Sequence, residues 1–176
     1  NDSEVLVPGD ICVFHDAWVL DFLKKIEPKC DLYFTDKEIG EEVSQVLCDF
    51  IPSNPEAVQF LMNRFFSDKI YLEQHLILSA LRIADEIGRI DGTVPNCFLL
   101  GFDFSAKTGY TNKMAAVNHH TPDYSEHMVS TQENSLMKIL AQEHRLSIKI
   151  NHVGNKPYSA YSVEEFNKIF PKHDKF

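Results

Sequence analysis

The chain has 176 residues, of which 44% are hydrophobic and 24% are charged, and this composition predicts one globular domain over residues 1–176 and excludes a disordered chain. Its net charge of −9 argues against nucleic acid or an anionic membrane as the main partner, because both bind clustered Lys and Arg. No apolar run approaches the ~18 residues of a membrane helix, and residues 1–10 contain no signal peptide, so we expect a cytoplasmic protein without a transmembrane segment.

Strands and helices are predicted to alternate through the first half of the chain. Short apolar runs predict strands at residues 11–15 and 31–35. Apolar residues at helical spacing predict a helix that contains Val19, Phe22, Leu23 and Ile26 and ends before Pro28. The same spacing predicts further helices at residues 39–50, 56–66 and 70–87.

The second half continues this alternation. Residues 97–100 form the most apolar short run and predict a central strand, which a polar loop over residues 105–123 follows. A capping box at residues 130–133 predicts the start of a helix, residues 146–152 predict a strand, and a second capping box at Ser162 predicts a last short helix. The order predicts an α/β fold with an open, mostly parallel, Rossmann-like sheet and helices on both faces.

Polar residues follow three of the predicted strands. They are His15 and Asp16 at the end of the first strand, Asp103 after the central strand, and Asn151 and His152 at the end of the last strand. Ligands of open α/β sheets bind beyond the carboxyl ends of the strands, and loops longer than about 12–15 residues are often functional. Asp103 is therefore either a turn residue that fixes the following loop or a residue that contacts the ligand.

Three histidines lie close together in the sequence at His119, His120 and His127. A metal site that supports hydrolysis or pyrophosphoryl transfer is one interpretation, although adjacent histidines point apart and no carboxylate or cysteine stands at an established ligand spacing. A polar loop is the other interpretation of His119 and His120. His127 precedes a predicted helix start, whose free N–H groups favour an anion, so it is a candidate general base beside a phosphate.

Several common nucleotide and hydrolase motifs are absent from the sequence. It contains no GxxxxGK[ST], no GxGxxG and no GxSxG. These absences argue against a P-loop kinase, a Rossmann dehydrogenase and an α/β-hydrolase.

The order of several short segments resembles a known enzyme family over most of the chain. The segments are residues 10–14 (DICVF), 30–34 (CDLYF), 80–84 (ALRIA), 98–104 (FLLGFDF), the stretch around His127, and 146–150 (LSIKI). They are similar to the strands and motifs of the bacterial sialyltransferases that decorate lipooligosaccharide, glycosyltransferase family 42.

The resemblance implies specific roles. His127 takes the place of the general base that deprotonates the acceptor hydroxyl. Tyr110 takes the place of a loop tyrosine that hydrogen-bonds the departing nucleotide phosphate, and Tyr124 takes the place of the tyrosine in the family's H-Y-x-x-H motif. We expect Asp16, Asp103 and His120 to complete the substrate-binding residues. The implied partners are a CMP-activated sialic-acid-type donor and a glycan acceptor, and the implied chemistry needs no metal and no cofactor.

One departure from the family leaves a second hypothesis open. The family begins with a strand and a GxGPS turn that holds the nucleotide phosphates, and this sequence has no such turn. The chain, which also lacks an initiator Met, is therefore expected to be a fragment of a longer protein. The alternative is a non-catalytic carbohydrate- or nucleotide-binding module of a larger enzyme. The formation of a homo-oligomer also stays an open alternative.

Overall fold

A computed structural model of the protein describes residues 9–105 and 122–171, with side chains from residue 126 onward in the second range. The strands are β1 (Ile11–Val13), β2 (Leu32–Thr35), β3 (Gln45–Leu47), β4 (Phe50–Ile51), β5 (Leu72–Glu73), β6 (Asn96–Leu99) and β7 (Lys149–His152). The helices are α1 (Ala17–Leu23), α2 (Pro55–Gln59), α3 (Leu61–Phe65), α4 (Leu76–Asp91), α5 (Pro122–Leu140) and α6 (Val163–Ile169).

The paired strands of the described residues are parallel. They form a three-stranded sheet in the order β1-β2-β3, a pair β4-β5 and a pair β6-β7. Parallel neighbours need long connections between them, and helices supply most of these. The predicted α/β class with parallel pairing is confirmed, and its strands lie in three small sheets.

The chain divides into two compact units, one over Asn1–Ile83 and one over Ala84–Phe176. The boundary between them falls within α4. The expected organisation as one domain stays a prediction.

Strand β2 is buried on both faces in the first unit. Tyr33 packs with Val19 and Leu23 of α1, whereas its neighbour Phe34 packs with Leu72 and Ile83. Successive side chains of a strand point to opposite sides, so two apolar layers cover the sheet. A strand buried in this way reads as a continuous apolar run, which explains why its sequence predicts it well.

The predicted helix over residues 39–50 is wrong. Strand β3 occupies its centre and β4 its end, and β3 pairs with β2 in the register Phe34 to Val46. The amide of Tyr33 donates to the carbonyl of Ser44, and the amide of Cys48 donates to Thr35, so a neighbouring strand satisfies backbone groups that a helix would satisfy internally. Spacing alone does not separate a short strand from one or two helical turns.

Three predicted helices have other bounds. Residues 56–66 form two helices that meet at Phe60, and the segment predicted as one helix from residue 70 begins with β5 and continues as α4. Helix α5 begins at Pro122, so the predicted start at Ser130 is wrong. Proline fits the first helical position because its fixed φ suits a helix and its missing N–H is not needed there.

The capping box at Ser162 is confirmed. The Ser162 hydroxyl accepts a hydrogen bond from the Glu165 amide, and the Glu165 carboxylate accepts one from the Ser162 amide. Among residues 9–105 and 122–171, no helix has the length and apolar character needed to cross a bilayer.

Helix α4 approaches the segment before β7 at a glycine. A Cβ placed on Gly88 would lie 2.2 Å from the carbonyl oxygen of Ser147 and 3.1 Å from Pro95. Close by, the Asp85 carboxylate accepts a hydrogen bond of 2.6 Å from the Ser147 amide. The absence of a side chain at Gly88 therefore allows this contact within the second unit.

We predict that Gly88→Ala lowers the free energy of unfolding by about 1–3 kcal/mol, because the added methyl group overpacks the contact. Alanine in place of a helical glycine ordinarily raises stability by about 1 kcal/mol, so the sign is diagnostic. The measurement is urea denaturation. The control is Gly40→Ala, where a Cβ meets nothing within 4 Å. A Gly88→Ala protein that is more stable than the wild type would contradict the contact.

Candidate functional site

The candidate site lies where β6 and β7 end. Leu99 of β6 is in register with His152 of β7, so the chain leaves both strands side by side. We call the turn at residues 101–105 and the loop at residues 153–159 the β6–β7 edge. The carboxyl ends of parallel strands are the usual place for a ligand in an open α/β fold.

His152, the last residue of β7, is a buried polar side chain that contacts both parts of the β6–β7 edge, with 2% of its surface exposed. Its Nε2 atom lies 2.6 Å from the carbonyl oxygen of Phe102, and its Nδ1 atom lies 2.9 Å from the hydroxyl of Ser159. The imidazole thus connects the turn after β6 with the loop after β7. Buried polar groups of this kind need such partners because desolvation without them is costly.

A second polar cluster joins helix α5 to the same loop. The Tyr158 hydroxyl donates a hydrogen bond of 2.6 Å to the Glu133 carboxylate, and the Lys156 ammonium lies 2.9 Å from it. The Tyr158 ring in turn lies against the imidazole of His152, with 5.1 Å between the ring centroids. Glu133, Lys156, Tyr158 and His152 therefore form one continuous cluster.

The electrostatics of this cluster favour an ionised Glu133. Burial would raise the pKa of Glu133, but the hydrogen bonds from Tyr158 and Lys156 and the charge of Lys156 outweigh it, so the pKa lies below its ordinary value. Burial raises the pKa of Tyr158, and its hydrogen bond to Glu133 raises it further. Tyr158 accordingly stays a hydrogen-bond donor to the carboxylate.

Asp103 is exposed on the turn after β6. Its carboxylate accepts a hydrogen bond of 3.3 Å from the Ser105 amide, which supports the predicted role in fixing this turn. Two residues of the turn have left-handed backbones, Gly101 with φ 77° and Phe104 with φ 48°. Glycine adopts this conformation freely, whereas a phenylalanine there is uncommon and must be held by its surroundings.

His127 lies in the second turn of α5 and is exposed. The expectation that it precedes a helix N-terminus is wrong, because α5 begins five residues earlier, at Pro122. The Thr131 hydroxyl donates to the His127 carbonyl at 2.9 Å, which explains how threonine fits inside a helix rather than at its cap. His127 and Glu133 are six residues apart, about 9 Å along a helix that rises 1.5 Å per residue.

Asp16 belongs to the first unit. It stands at the N-cap of α1 without a side-chain capping bond, and its carboxylate lies 3.7 Å from the His15 imidazole. Lys37, which follows β2, donates hydrogen bonds to the His15 carbonyl and to Asp36. Polar groups therefore collect at the carboxyl ends of β1 and β2, as predicted for Asp16, whereas the sequence analysis did not single out Asp36 or Lys37.

Several predicted site residues lie outside the part that the structure describes. They are Tyr110, His119 and His120, together with the side chain of Tyr124, whose backbone belongs to α5. The predicted convergence of Tyr110, Tyr124 and His127 therefore stays a prediction. Among the described residues no group of three His, Cys, Asp or Glu side chains could hold a metal ion, and two histidines of the metal hypothesis are not among them.

Most of the cluster at the β6–β7 edge was not predicted from the sequence. Glu133 was assigned to a capping box, and Lys156, Tyr158 and Ser159 had no predicted role. The available signal was the run Lys156-Pro-Tyr-Ser159, a turn sequence directly after a strand that ends in histidine. That run predicts a turn, but not the helix residue that the turn contacts.

No protein-family model matches the chain, and neither does any curated protein or solved structure with which it was compared. The resemblance to glycosyltransferase family 42 therefore depends on the short motifs of the sequence.

We predict that Glu133→Gln lowers the free energy of unfolding at pH 7 by about 1.5–3 kcal/mol, the usual value of hydrogen bonds to a charged group. Because the folded-state pKa of Glu133 is lowered, its stabilisation is complete above the ordinary glutamate pKa of about 4.3 and is lost as the pH falls through the folded-state pKa. Urea denaturation as a function of pH should show the two proteins converge in acid.

The control for this experiment is Glu164→Gln. Glu164 forms an exposed pair with Lys168, whose contribution to stability should be small. A Glu133→Gln deficit that stays constant from neutral to acid pH would show that the carboxylate contributes through packing alone.

Proposed function

We propose that the chain is a sialyltransferase-like glycosyltransferase domain that transfers a sialic-acid-type sugar from a CMP donor to a glycan acceptor. The observation that supports the proposal best is the β6–β7 edge. A parallel strand pair ends there in a turn that exposes Asp103, beside a cluster that ties this edge to α5, the helix that carries His127. Ligand sites of α/β folds have this position.

Each proposed role follows from the chemistry of the side chain. His127, exposed on α5, is the general base that takes the proton of the acceptor hydroxyl as its oxygen bonds to the anomeric carbon and CMP leaves. Tyr110 and Tyr124 donate hydrogen bonds to the departing phosphate, which stabilises the charge that develops there.

Further residues contact the substrates in this proposal. Asp103 accepts hydrogen bonds from donor hydroxyl groups, and His120 is a further substrate contact. The proposal includes a cytoplasmic location, where CMP-activated sugars are consumed in lipooligosaccharide synthesis. It requires neither a metal nor a cofactor.

We predict that His127→Ala lowers the transfer rate of the full-length protein by about 10²–10⁴-fold, the usual contribution of a general base. The assay uses CMP-sialic acid and a galactoside acceptor. The control is His144→Ala, because His144 is also an exposed histidine of the second unit but lies outside the proposed site. Its rate should equal that of the wild type.

Unchanged transfer by His127→Ala would refute the role of the base. Calorimetric titration with CMP and with free sugars separates the enzyme from the alternative, a binding module. Binding of sugar without binding of CMP would favour the module and contradict the transferase.

A further inference from the structure

The hydrogen bonds of His152 fix which of its nitrogens carries the proton. The carbonyl oxygen of Phe102 is only an acceptor, so the Nε2 atom that faces it at 2.6 Å must donate. In a neutral imidazole the Nδ1 atom is then an acceptor, and the Ser159 hydroxyl donates to it. The Ser159 oxygen in turn accepts a hydrogen bond of 2.8 Å from the Lys156 amide.

The imidazole of His152 is enclosed as well as hydrogen-bonded. The Phe104 ring stacks on it with 5.9 Å between centroids and 23° between planes, and the Tyr158 ring approaches it at 5.1 Å. A Cβ on Gly154 would lie only 2.8 Å from its Cε1 atom. Neither ring nitrogen can therefore change its partner without displacement of the surrounding residues.

The same imidazole contacts both neighbours of Asp103 in the chain. Phe102, before it, accepts the Nε2 hydrogen bond through its carbonyl, and Phe104, after it, stacks on the ring. Phe104 also has the left-handed backbone of this turn, which the native contacts must stabilise. The position of the exposed Asp103 carboxylate thus depends on His152.

We propose that His152, which donates from Nε2 to the Phe102 carbonyl, is a positioning residue that holds the turn at residues 101–105 and so presents Asp103 to a hydroxyl-bearing ligand. A carboxylate is an acceptor and selects hydrogen-bond donors, and precise recognition needs a side chain held to within about 0.5 Å. The identity of the ligand as the CMP donor rests on the proposed function. The positioning of the turn by His152 does not depend on that function.

The tautomer can be tested directly by ¹⁵N NMR of the histidine ring in the full chain. The expected spectrum shows a proton on Nε2 of His152. A ring that is protonated on Nδ1 alone would overturn the proposal.

Two amide substitutions separate the two hydrogen bonds of the ring. In His152→Gln the side-chain nitrogen reaches the place of Nε2 and retains a donor for the Phe102 carbonyl. In His152→Asn the side-chain oxygen takes the place of Nδ1 and retains an acceptor for Ser159, but the bond to Phe102 is lost. Both variants lose the aromatic stacking, so each is the matched control of the other.

The first readout is hydrogen exchange of the Ser105 amide, which donates to the Asp103 carboxylate. We expect about tenfold faster exchange in His152→Asn and less than about twofold change in His152→Gln, since one buried hydrogen bond is worth about a factor of ten. The second readout is the Kd of CMP, which should be about tenfold weaker in the Asn variant alone. If His152→Asn and His152→Gln showed the same Ser105 exchange rate and the same Kd for CMP, whether both were changed or both unchanged, the proposal would be overturned.

A third variant serves if neither amide variant folds. Ser159→Ala keeps the imidazole and its hydrogen bond to the Phe102 carbonyl and removes only the partner of Nδ1, so we expect the proton to stay on Nε2 and Ser105 exchange to change by less than about twofold. Loss of the Nε2 proton, or about tenfold faster Ser105 exchange, would overturn the proposal. If the wild type does not bind CMP, the proposed function fails, while Ser105 exchange, which needs no ligand, still decides the role of His152.

Discussion

The organisation of the second unit depends on the parallel pairing of β6 and β7. Their register places Leu99 opposite His152, so both strands end together and the polar residues that follow them meet. His152 is buried in this pair, and buried polar side-chain atoms in folded proteins usually have hydrogen-bond partners. Phe102 and Ser159 supply them, so one core side chain fixes the conformations of the two connections.

The contacts of Glu133 with Lys156 and Tyr158 orient α5 as well as stabilise the second unit. Glu133 and Lys156 are both about one quarter exposed, so part of the attraction between the charges is screened by water. The geometry of this ion pair is nevertheless selective, because Tyr158 and Lys156 both contact the same carboxylate. This arrangement fixes the rotation of α5 relative to the loop after β7, and hence the direction in which the exposed face with His127 points.

The hydrogen-bonding groups of the β6–β7 edge are preorganised. Hydrogen-bonding groups that are already held in place need no reordering when a ligand binds, which is why sites are built on supported turns. Asp103 satisfies this requirement, since Phe102 and Phe104 on either side of it both contact the buried imidazole. In the first unit Lys37 donates hydrogen bonds to Asp36 and to the His15 carbonyl, and the Asp16 carboxylate lies 3.7 Å from the His15 imidazole.

The sequence by itself determined the α/β class, the strands β1, β2 and β6, and the capping box at Ser162, because each depends on a continuous apolar run or on neighbours in the chain. A turn-fixing role was one of the two alternatives that the sequence left open for Asp103, and it depends on a local bond to Ser105. Only the tertiary structure decided that residues 45–47 pair as a strand and that Glu133 meets Lys156 and Tyr158, 23 and 25 residues further along the chain. Contacts between distant residues depend on how the elements pack, and this leaves no periodic signal in either segment alone.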